Sequence, residues 1–177
     1  MKTASRIKKI TLMAVLVAMG YVSLFIIRFP LIPSASFLRF DIKDVFITIG
    51  GLVLGPTAAF LGGVVISLIQ ILTVSEYGII GLIMNLLSVS SFVMPIALAY
   101  KAKKNNVSLV IGLLLGCACM TATMVAWNYL ISPLYMGVSR EVVAAMLLPV
   151  FLPFNAIKSI INAVTIFVVW QIIKRIV

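Results

Sequence analysis

The sequence is poor in the residue types that most enzymes and metal proteins need. It contains no histidine, two cysteines and four acidic residues among 177 positions. Cys117 and Cys119 alone would leave a metal's coordination shell incomplete, so we expect no metal site. The apolar segments hold no paired carboxylates for acid–base work, and no G-x-x-x-x-G-K-[ST] phosphate loop is present. We therefore expect no catalysis, no resident cofactor and no ATP hydrolysis by this chain itself.

Apolar residues dominate the composition. They make up 63% of the chain, charged residues only 10%, and the mean hydropathy is +1.26. A soluble domain is roughly half apolar, so this is predicted to be an all-α integral membrane protein, one transmembrane domain over residues 1–177. Its partners then include membrane lipid. We expect no nucleic-acid binding from the net charge of +10, because the basic residues cluster at helix ends.

The apolar pattern predicts a compact bundle of six transmembrane helices. They are expected at about 10–27, 43–55, 56–74, 79–100, 107–131 and 150–173. The second is short for a span, and Asp41 and Asp44 are expected in its first turn, near the positive end of the helix dipole. Residues 28–40 and 132–149 are predicted connections, the latter with an interfacial helical piece around 140–147.

The basic clusters predict the orientation of the bundle. They lie at residues 2–9, 101–104 and 174–175. Six spans with both termini in the cytoplasm place all three clusters inside, as the positive-inside rule requires. The loops at 28–43, 75–78 and 132–149 then face the outside.

Lys158 is the only charged residue between positions 142 and 173. A charge at the centre of a spanning helix costs about 3 kcal/mol, so it needs a partner or a purpose. Asn155, Asn162 and Thr165 share its helical face by their spacing. A lysine can also snorkel to an interface. The flanking asparagines favour a polar binding site inside the bundle.

Polar residues of four predicted helices fall at a similar depth near the outer face. They are Ser67, Gln70, Thr73, Asn85, Ser88, Thr121, Asn128, Tyr129, Asn155 and Lys158. Their clustering predicts a ligand pocket, with Phe37, Phe40 and Tyr135 of the outer loops as a lid. Amides and hydroxyls suit a neutral heterocycle with imide-like edges better than a bare ion. The inner halves show no polar path for a channel, so movement of a solute requires partner subunits.

Two small-residue motifs predict close helix contacts. Ala14-x-x-x-Ala18 lies in the first helix and Gly112-x-x-x-Gly116 in the fifth. Small residues four apart allow two helices to approach closely. Each motif fits docking of a partner or packing within the bundle equally well.

Several segments, in order along nearly the whole chain, are similar to one transporter family. They are F-P-L-I-P at 29–33, L-R-F-D-I-K-D-V at 38–45, L-G-P at 54–56, W-N-Y at 127–129, P-L-Y at 133–135 and P-F-N-A-I-K at 153–158. The chain resembles the substrate-binding S components of energy-coupling factor (ECF) transporters, and among them the riboflavin-specific branch.

The resemblance implies a function for the pocket. It implies a vitamin site near the outer surface in which Asn128, Asn155 and Lys158 hydrogen-bond the flavin. Asn85 and Gln70, with Phe40 and Tyr135 from the loops, are further predicted ligand contacts. Arg39 is either a solvated loop residue or a contact to a phosphate, which would add flavin mononucleotide (FMN) as a ligand.

It also implies partners. Ala14 and Ala18 would dock a transmembrane coupling subunit, which two ATPase subunits drive, in the plasma membrane of a prokaryote. The bundle is expected to reorient in the membrane as a body. Alternatives are an S component for thiamine or pantothenate, a membrane enzyme, or a membrane assembly subunit that binds no vitamin.

Overall fold

A computed structural model describes the backbone of residues 2–74 and 78–176 and, apart from residues 2–5 and 34, their side chains. Ser75, Glu76 and Tyr77, most of one predicted outer loop, lie outside the described residues. The described chain is almost entirely helical, as expected from its composition. Its helices are α1 (Lys2–Ile26), α2 (Lys43–Leu54), α3 (Pro56–Thr73), α4 (Gly78–Lys103), α5 (Asn106–Met136), α6 (Arg140–Met146) and α7 (Leu152–Ile173).

Among the described residues, five helical segments are long and apolar enough to cross a membrane. They are Arg6–Ile26, Pro56–Thr73, Gly78–Lys103, Asn106–Met136 and Arg140–Ile173. The chain is therefore a multi-pass α-helical membrane protein. Helix α2 has twelve residues, roughly 18 Å of helix against a hydrocarbon core of about 30 Å. The predicted count of six spanning helices thus stays a prediction.

A short hairpin connects α1 to α2. Strands β1 (Phe29–Pro30) and β2 (Arg39–Phe40) pair antiparallel, with a 3₁₀ turn at Pro33–Ala35 between them. The hairpin occupies the segment predicted to be a loop, because Pro30 and Pro33 exclude a helix there. We call residues 29–41 the strap.

The fifth predicted helix continues beyond its expected end at Ile131, and this boundary was wrong. Helix α5 runs to Met136 with Pro133 inside it. It ends at Gly137, whose φ of 67° is easily reached by glycine, and whose N–H donates to the carbonyl of Pro133. A proline removes one backbone donor, which α5 tolerates one turn before its end. The helical piece expected around 140–147 is α6, joined to α7 by a π turn at Leu147–Phe151, and its interfacial position stays a prediction.

The placement of Asp41 in the first turn of α2 was also wrong. Helix α2 begins at Lys43, and Asp44 alone is acidic in its first turn. Asp41 precedes the helix, so its carboxylate makes no capping contact there and is directed elsewhere in the bundle.

Close approach of α4 and α5 forms much of the core. A Cβ at Gly112 would stand 3.0 Å from Ala99 and Ile96, and one at Gly116 would stand 2.7 Å from the Phe92 carbonyl oxygen. The G-x-x-x-G motif therefore packs α5 against α4, and the packing alternative accounts for it. Phe92 and Ile96 are fully buried at this contact.

Two of the predicted basic clusters, at 101–104 and 174–175, lie at the same end of the bundle. Lys174, at the end of α7, donates to Asn106 at the start of α5 over 3.0 Å. Lys101 and Lys103, exposed at the end of α4, lie beside this junction in the chain. The opposite end, where α1 and α3 finish and α4 and α7 begin, carries the polar groups considered next.

Candidate ligand-binding pocket

A pocket opens between the strap and helices α1, α3, α4, α5 and α7. Its polar and charged lining residues are Arg28, Arg39, Asp41, Gln70, Asn85, Ser88, Asn128, Asn155 and Lys158. Six of the eight predicted ligand-contact residues are among them, namely Arg39, Gln70, Asn85, Asn128, Asn155 and Lys158. The apolar lining comes from Leu24, Phe37, Leu38, Val74, Met84, Met120, Met124 and Phe154, with Gly81.

Lys158 has a carboxylate partner that the sequence did not indicate. Its Nζ donates to Oδ2 of Asp41 over 2.8 Å, across 117 positions of sequence. The other oxygen of Asp41, Oδ1, accepts from Nζ of Lys43 over 3.1 Å. Asp41 thus bridges two buried ammonium groups, one on α7 and one at the start of α2. The partner that an intramembrane lysine requires is provided by the strap.

The charges of this cluster balance. Asp44 lies 3.8 Å from Nζ of Lys43, too far for a hydrogen bond, and neither of its oxygens has a hydrogen-bond partner among the described residues. Burial by itself would raise the pKa of Asp41, but the ammonium groups of Lys158 and Lys43 outweigh it. They hold that pKa well below the usual range of an aspartic acid. The Asp41 carboxylate is therefore ionised at neutral pH.

The position of Asp41 is fixed from the α7 side. Asn162 donates from Nδ2 to the backbone oxygen of Asp41 over 3.4 Å. Asn162 and Lys158 occupy one face of α7, as predicted from their spacing, and both face the end of the strap. These two residues connect α7 to the strap by one hydrogen bond and one ion pair.

Two asparagines on different helices are held in the same way. Asn155 donates from Nδ2 to the carbonyl of Phe151 over 2.8 Å, and Asn128 donates from Nδ2 to that of Met124 over 2.6 Å. In each case the amide N–H₂ is engaged with its own helix. The side-chain oxygen of Asn155 remains to accept from a ligand that donates an N–H or O–H group, whereas that of Asn128 already accepts within α5.

Tyr135 and Ser132 lie behind Asn128 and do not line the pocket. Ser132 donates from Oγ to Oδ1 of Asn128 over 2.9 Å, and the Tyr135 hydroxyl donates to the same oxygen over 3.4 Å. The extra turn of α5, which the sequence did not predict, makes these contacts possible. The predicted ligand contact of Tyr135 stays a prediction; in this structure Tyr135 orients Asn128.

Helices α3 and α4 supply smaller polar groups. Gln70 is buried, and its Oε1 has no hydrogen-bond partner among the described residues. Asn85 and Ser88 stand one turn apart on α4 and line the same pocket. An unpartnered buried acceptor is costly, so Gln70 is suited to accept a hydrogen bond from a ligand.

Other residues of the predicted polar layer face elsewhere. The hydroxyls of Ser67, Thr73 and Thr165 donate to carbonyls four residues back on their own helices. Tyr129 is partly exposed, with the Arg140 guanidinium 5.6 Å from its ring centre. Helix spacing alone could not separate these residues from those of the pocket, because a hydroxyl can satisfy its own helix.

The strap covers the pocket. Phe37, Leu38 and Arg39 line it, and the Phe37 ring lies 6.1 Å from that of Phe151. Phe40, a predicted lid and ligand residue, is instead buried with its ring 5.4 Å from Phe29. It supports the hairpin, and its predicted ligand contact has no support from the pocket lining.

The pocket is too small for a drug-sized ligand in this structure. Its volume is about 110 Å³, while sites for drug-sized ligands are roughly 300–1,000 Å³. A ligand of that size requires the strap, or a helix end beneath it, to move outward.

Ala14 and Ala18 lie far from the pocket, exposed on the outer surface of α1. They line an apolar groove of about 610 Å³ between α1 and α3, together with Met13, Leu61 and Val65. Unlike the glycine motif of α5, this small-residue motif is not used to pack helices of the bundle. The alanines leave a shallow surface that another helix can approach closely.

The fold and the pocket define a class: a multi-pass helical membrane protein with a covered polar pocket at one end of its bundle. The family model "ECF transporter, substrate-specific component" matches residues 8–170. The chain belongs to this family of S components.

Individual relatives agree with the family match. The chain is 30% identical over 168 residues to riboflavin transporter FmnP of Bacillus subtilis, covering 90% of this chain and 88% of that protein. It is 27% identical over 179 residues to riboflavin transporter RibU of Streptococcus thermophilus, covering 96% of this chain and 84% of that protein. The solved S component of a bacterial ECF transporter superposes with a TM-score of 0.82 at 25% identity, over 97% of this chain and 98% of that one.

Proposed function

We propose that this protein is the riboflavin-binding S component of an ECF importer in the plasma membrane of a prokaryote. It captures the vitamin at the outer face and catalyses no reaction. Uptake is driven by two ATPase subunits through a transmembrane coupling subunit. Two relatives named as riboflavin transporters, matched over most of their length, support the choice of vitamin.

The observation that carries the proposal is the chemistry of the pocket. Riboflavin has an imide edge with one N–H between two carbonyls, and a ribityl chain of hydroxyls. The side-chain oxygen of Asn155 suits the imide N–H or a ribityl hydroxyl, and the Lys158 ammonium suits a carbonyl or ring nitrogen. Asn128 would bind the flavin by exchanging a bond from Ser132 or Tyr135 for one from the ligand. Phe37 and Phe154, which line the same pocket, suit the faces of the flavin ring.

The remaining polar groups take secondary roles. Gln70 and Asn85 are placed for the hydroxyls of the ribityl chain, and Arg39 lies on the strap side of the pocket. A phosphate at the end of that chain would be attracted to Arg39, which makes FMN an additional ligand. Tyr135 and Phe40 act indirectly, through Asn128 and the hairpin.

The proposed topology has six helices crossing the membrane, with both termini in the cytoplasm. The basic end of the bundle then faces the cytoplasm, as the positive-inside rule requires. The pocket, at the opposite end, faces outward. Helix α2 crosses with the help of the strap, because twelve residues alone are short for a full span.

The groove between α1 and α3 is proposed to receive the coupling subunit at Ala14 and Ala18. The pocket opens to one end only, and the core beneath it is filled by apolar side chains such as Phe92 and Ile96. A solute therefore cannot pass through the bundle as it stands. The proposal accounts for transfer by reorientation of the whole bundle against the coupling subunit.

The direct test is the visible spectrum of the purified protein in detergent, followed by a riboflavin fluorescence-quenching titration. A yellow flavin that co-purifies, or stoichiometric quenching, supports the assignment. A colourless protein that leaves riboflavin fluorescence unchanged would reject it. Thiamine and pantothenate would then be titrated by calorimetry, and failure of every vitamin would favour an assembly subunit.

A further inference from the structure

The charges that line the pocket are unequal in number. Arg28, Arg39 and Lys158 are basic, and Asp41 is the single acidic residue among the lining residues in the described part of the chain. Asp41 is also the residue bonded to Lys158, at 2.8 Å. A ligand in this pocket lies close to the pair, because both residues line it. A charged ligand therefore interacts electrostatically with Asp41 whether or not it touches that residue.

The Asp41 carboxylate does not cap a helix. Its two oxygens go to two ammonium groups, those of Lys158 and Lys43. Lys43 has a second acid within reach, Asp44 at 3.8 Å, whereas Lys158 is paired with Asp41 alone among the described residues. Removal of the Asp41 carboxylate would therefore leave Lys43 with Asp44 and leave Lys158 as an uncompensated positive charge facing the pocket.

We propose that Asp41 determines the charge selectivity of the pocket, holding down its affinity for a phosphorylated flavin relative to the uncharged one. The inference rests on the proposed function and extends it from the vitamin to its phosphate ester. A phosphate carries between one and two negative charges at neutral pH. Asp41 repels that charge and cancels the attraction of Lys158 at the same time, while an uncharged flavin experiences neither effect.

The test is the ratio of the FMN and riboflavin affinities in Asp41→Asn, each obtained by fluorescence-quenching titration. Removing one charge roughly 8 Å from a phosphate, at an effective dielectric constant of about 20, is expected to raise the FMN-to-riboflavin ratio about tenfold or more. A purely structural defect would weaken both ligands and leave the ratio unchanged.

Asp44→Asn is the matched control. Asp44 is a buried acid three residues further on, beside the same Lys43, but it neither lines the pocket nor contacts Lys158. It should leave the ratio at its wild-type value. An equal rise in this variant would overturn the assignment to Asp41, since any loss of buried acid would then suffice.

Two further variants protect the test against failure to fold. Asp41→Asn combined with Lys43→Met removes one charge of each sign, so the net charge of the cluster is kept. The ratio should rise less than in Asp41→Asn alone, because the lost attraction of the Lys43 ammonium offsets part of the effect. Lys158→Met removes the cation and keeps the Asp41 carboxylate, so the ratio should fall below wild type. A structural disturbance is not expected to raise the affinity ratio when Asp41 is replaced and lower it when Lys158 is replaced.

An unchanged ratio in folded Asp41→Asn would overturn the inference while leaving riboflavin binding in place. A wild-type protein that binds neither riboflavin nor FMN would overturn the proposed function and this inference with it. The two failures are therefore distinguished by the wild-type titration.

Discussion

Lys158→Met is the substitution with the most direct consequence for binding. Methionine has an unbranched chain that fits the space of the lysine stem but cannot donate a hydrogen bond. The side chain of Lys158 is 8% exposed, so little solvent replaces the lost ammonium group. A ligand that accepts a hydrogen bond from Lys158 loses roughly 1.5–3 kcal/mol, the usual value for a bond to a charged group.

That loss corresponds to a rise in the Kd for riboflavin of roughly 10- to 140-fold. Stability should fall as well, because a buried ion pair that loses one partner typically costs about 3–5 kcal/mol. The cost should be smaller here, since Asp41 keeps Lys43 as a partner at 3.1 Å. We therefore expect a folded protein with a lower Tm and weakened binding.

The assay is a riboflavin fluorescence-quenching titration of the purified variant, with Tm measured on the same sample. Thr165→Val on the same helix is the control, because the Thr165 hydroxyl donates to the Ile161 carbonyl and not into the pocket. It should leave the Kd unchanged. A folded Lys158→Met protein with wild-type affinity would remove Lys158 from the binding site and refute the reasoning from its burial.

Four other outcomes are expected. Asn155→Leu should raise the riboflavin Kd about 2- to 12-fold, the loss of one neutral hydrogen bond, and a wild-type titration curve would contradict this. Ala14→Leu with Ala18→Leu should spare riboflavin binding and abolish uptake by cells that express the partner subunits; persistent uptake would place docking elsewhere. Phe37→Ala should speed riboflavin release in stopped-flow fluorescence about 2- to 12-fold, because the strap loses one aromatic contact, and an unchanged rate would exclude the strap from gating. Gly116→Val should lower Tm, since a side chain there meets the backbone of α4; an unaltered Tm would argue against that close packing.

The sequence predicted those features that depend on short-range patterns. Apolar runs and basic clusters indicate the helices and their ends. Lys158 stands out as the one charged residue within an apolar run. Helix ends that depend on tertiary contacts were harder to predict from the sequence. The end of α5 was placed five residues early, at Ile131, whereas the helix continues through Pro133 and stops at Gly137.

The partner of Lys158 could not be found from helix spacing. Asp41 is 117 positions away, and as a residue near the start of α2 its expected role was local capping and pairing with neighbouring basic residues. Its bond to Lys43 was among those expectations, but the one to Lys158 depends on how the strap crosses the end of α7. Hydroxyl groups posed the reverse problem. Ser67 and Thr73 belong to the predicted polar layer, yet each donates to its own helix and neither lines the pocket.

The small volume of the pocket and the ion pair between Asp41 and Lys158 together affect how a ligand enters. The strap carries Asp41 at its end, so an outward movement large enough to admit a flavin would also pull on the bond between Asp41 and Lys158. The bond favours the closed strap before the ligand arrives, and a ligand that takes over Lys158 removes part of that restraint. Asn162, which donates to the backbone of Asp41, limits how far the end of the strap can move. The movement that opens the pocket is therefore expected near Phe37 and the 3₁₀ turn, with Asp41 remaining anchored to α7.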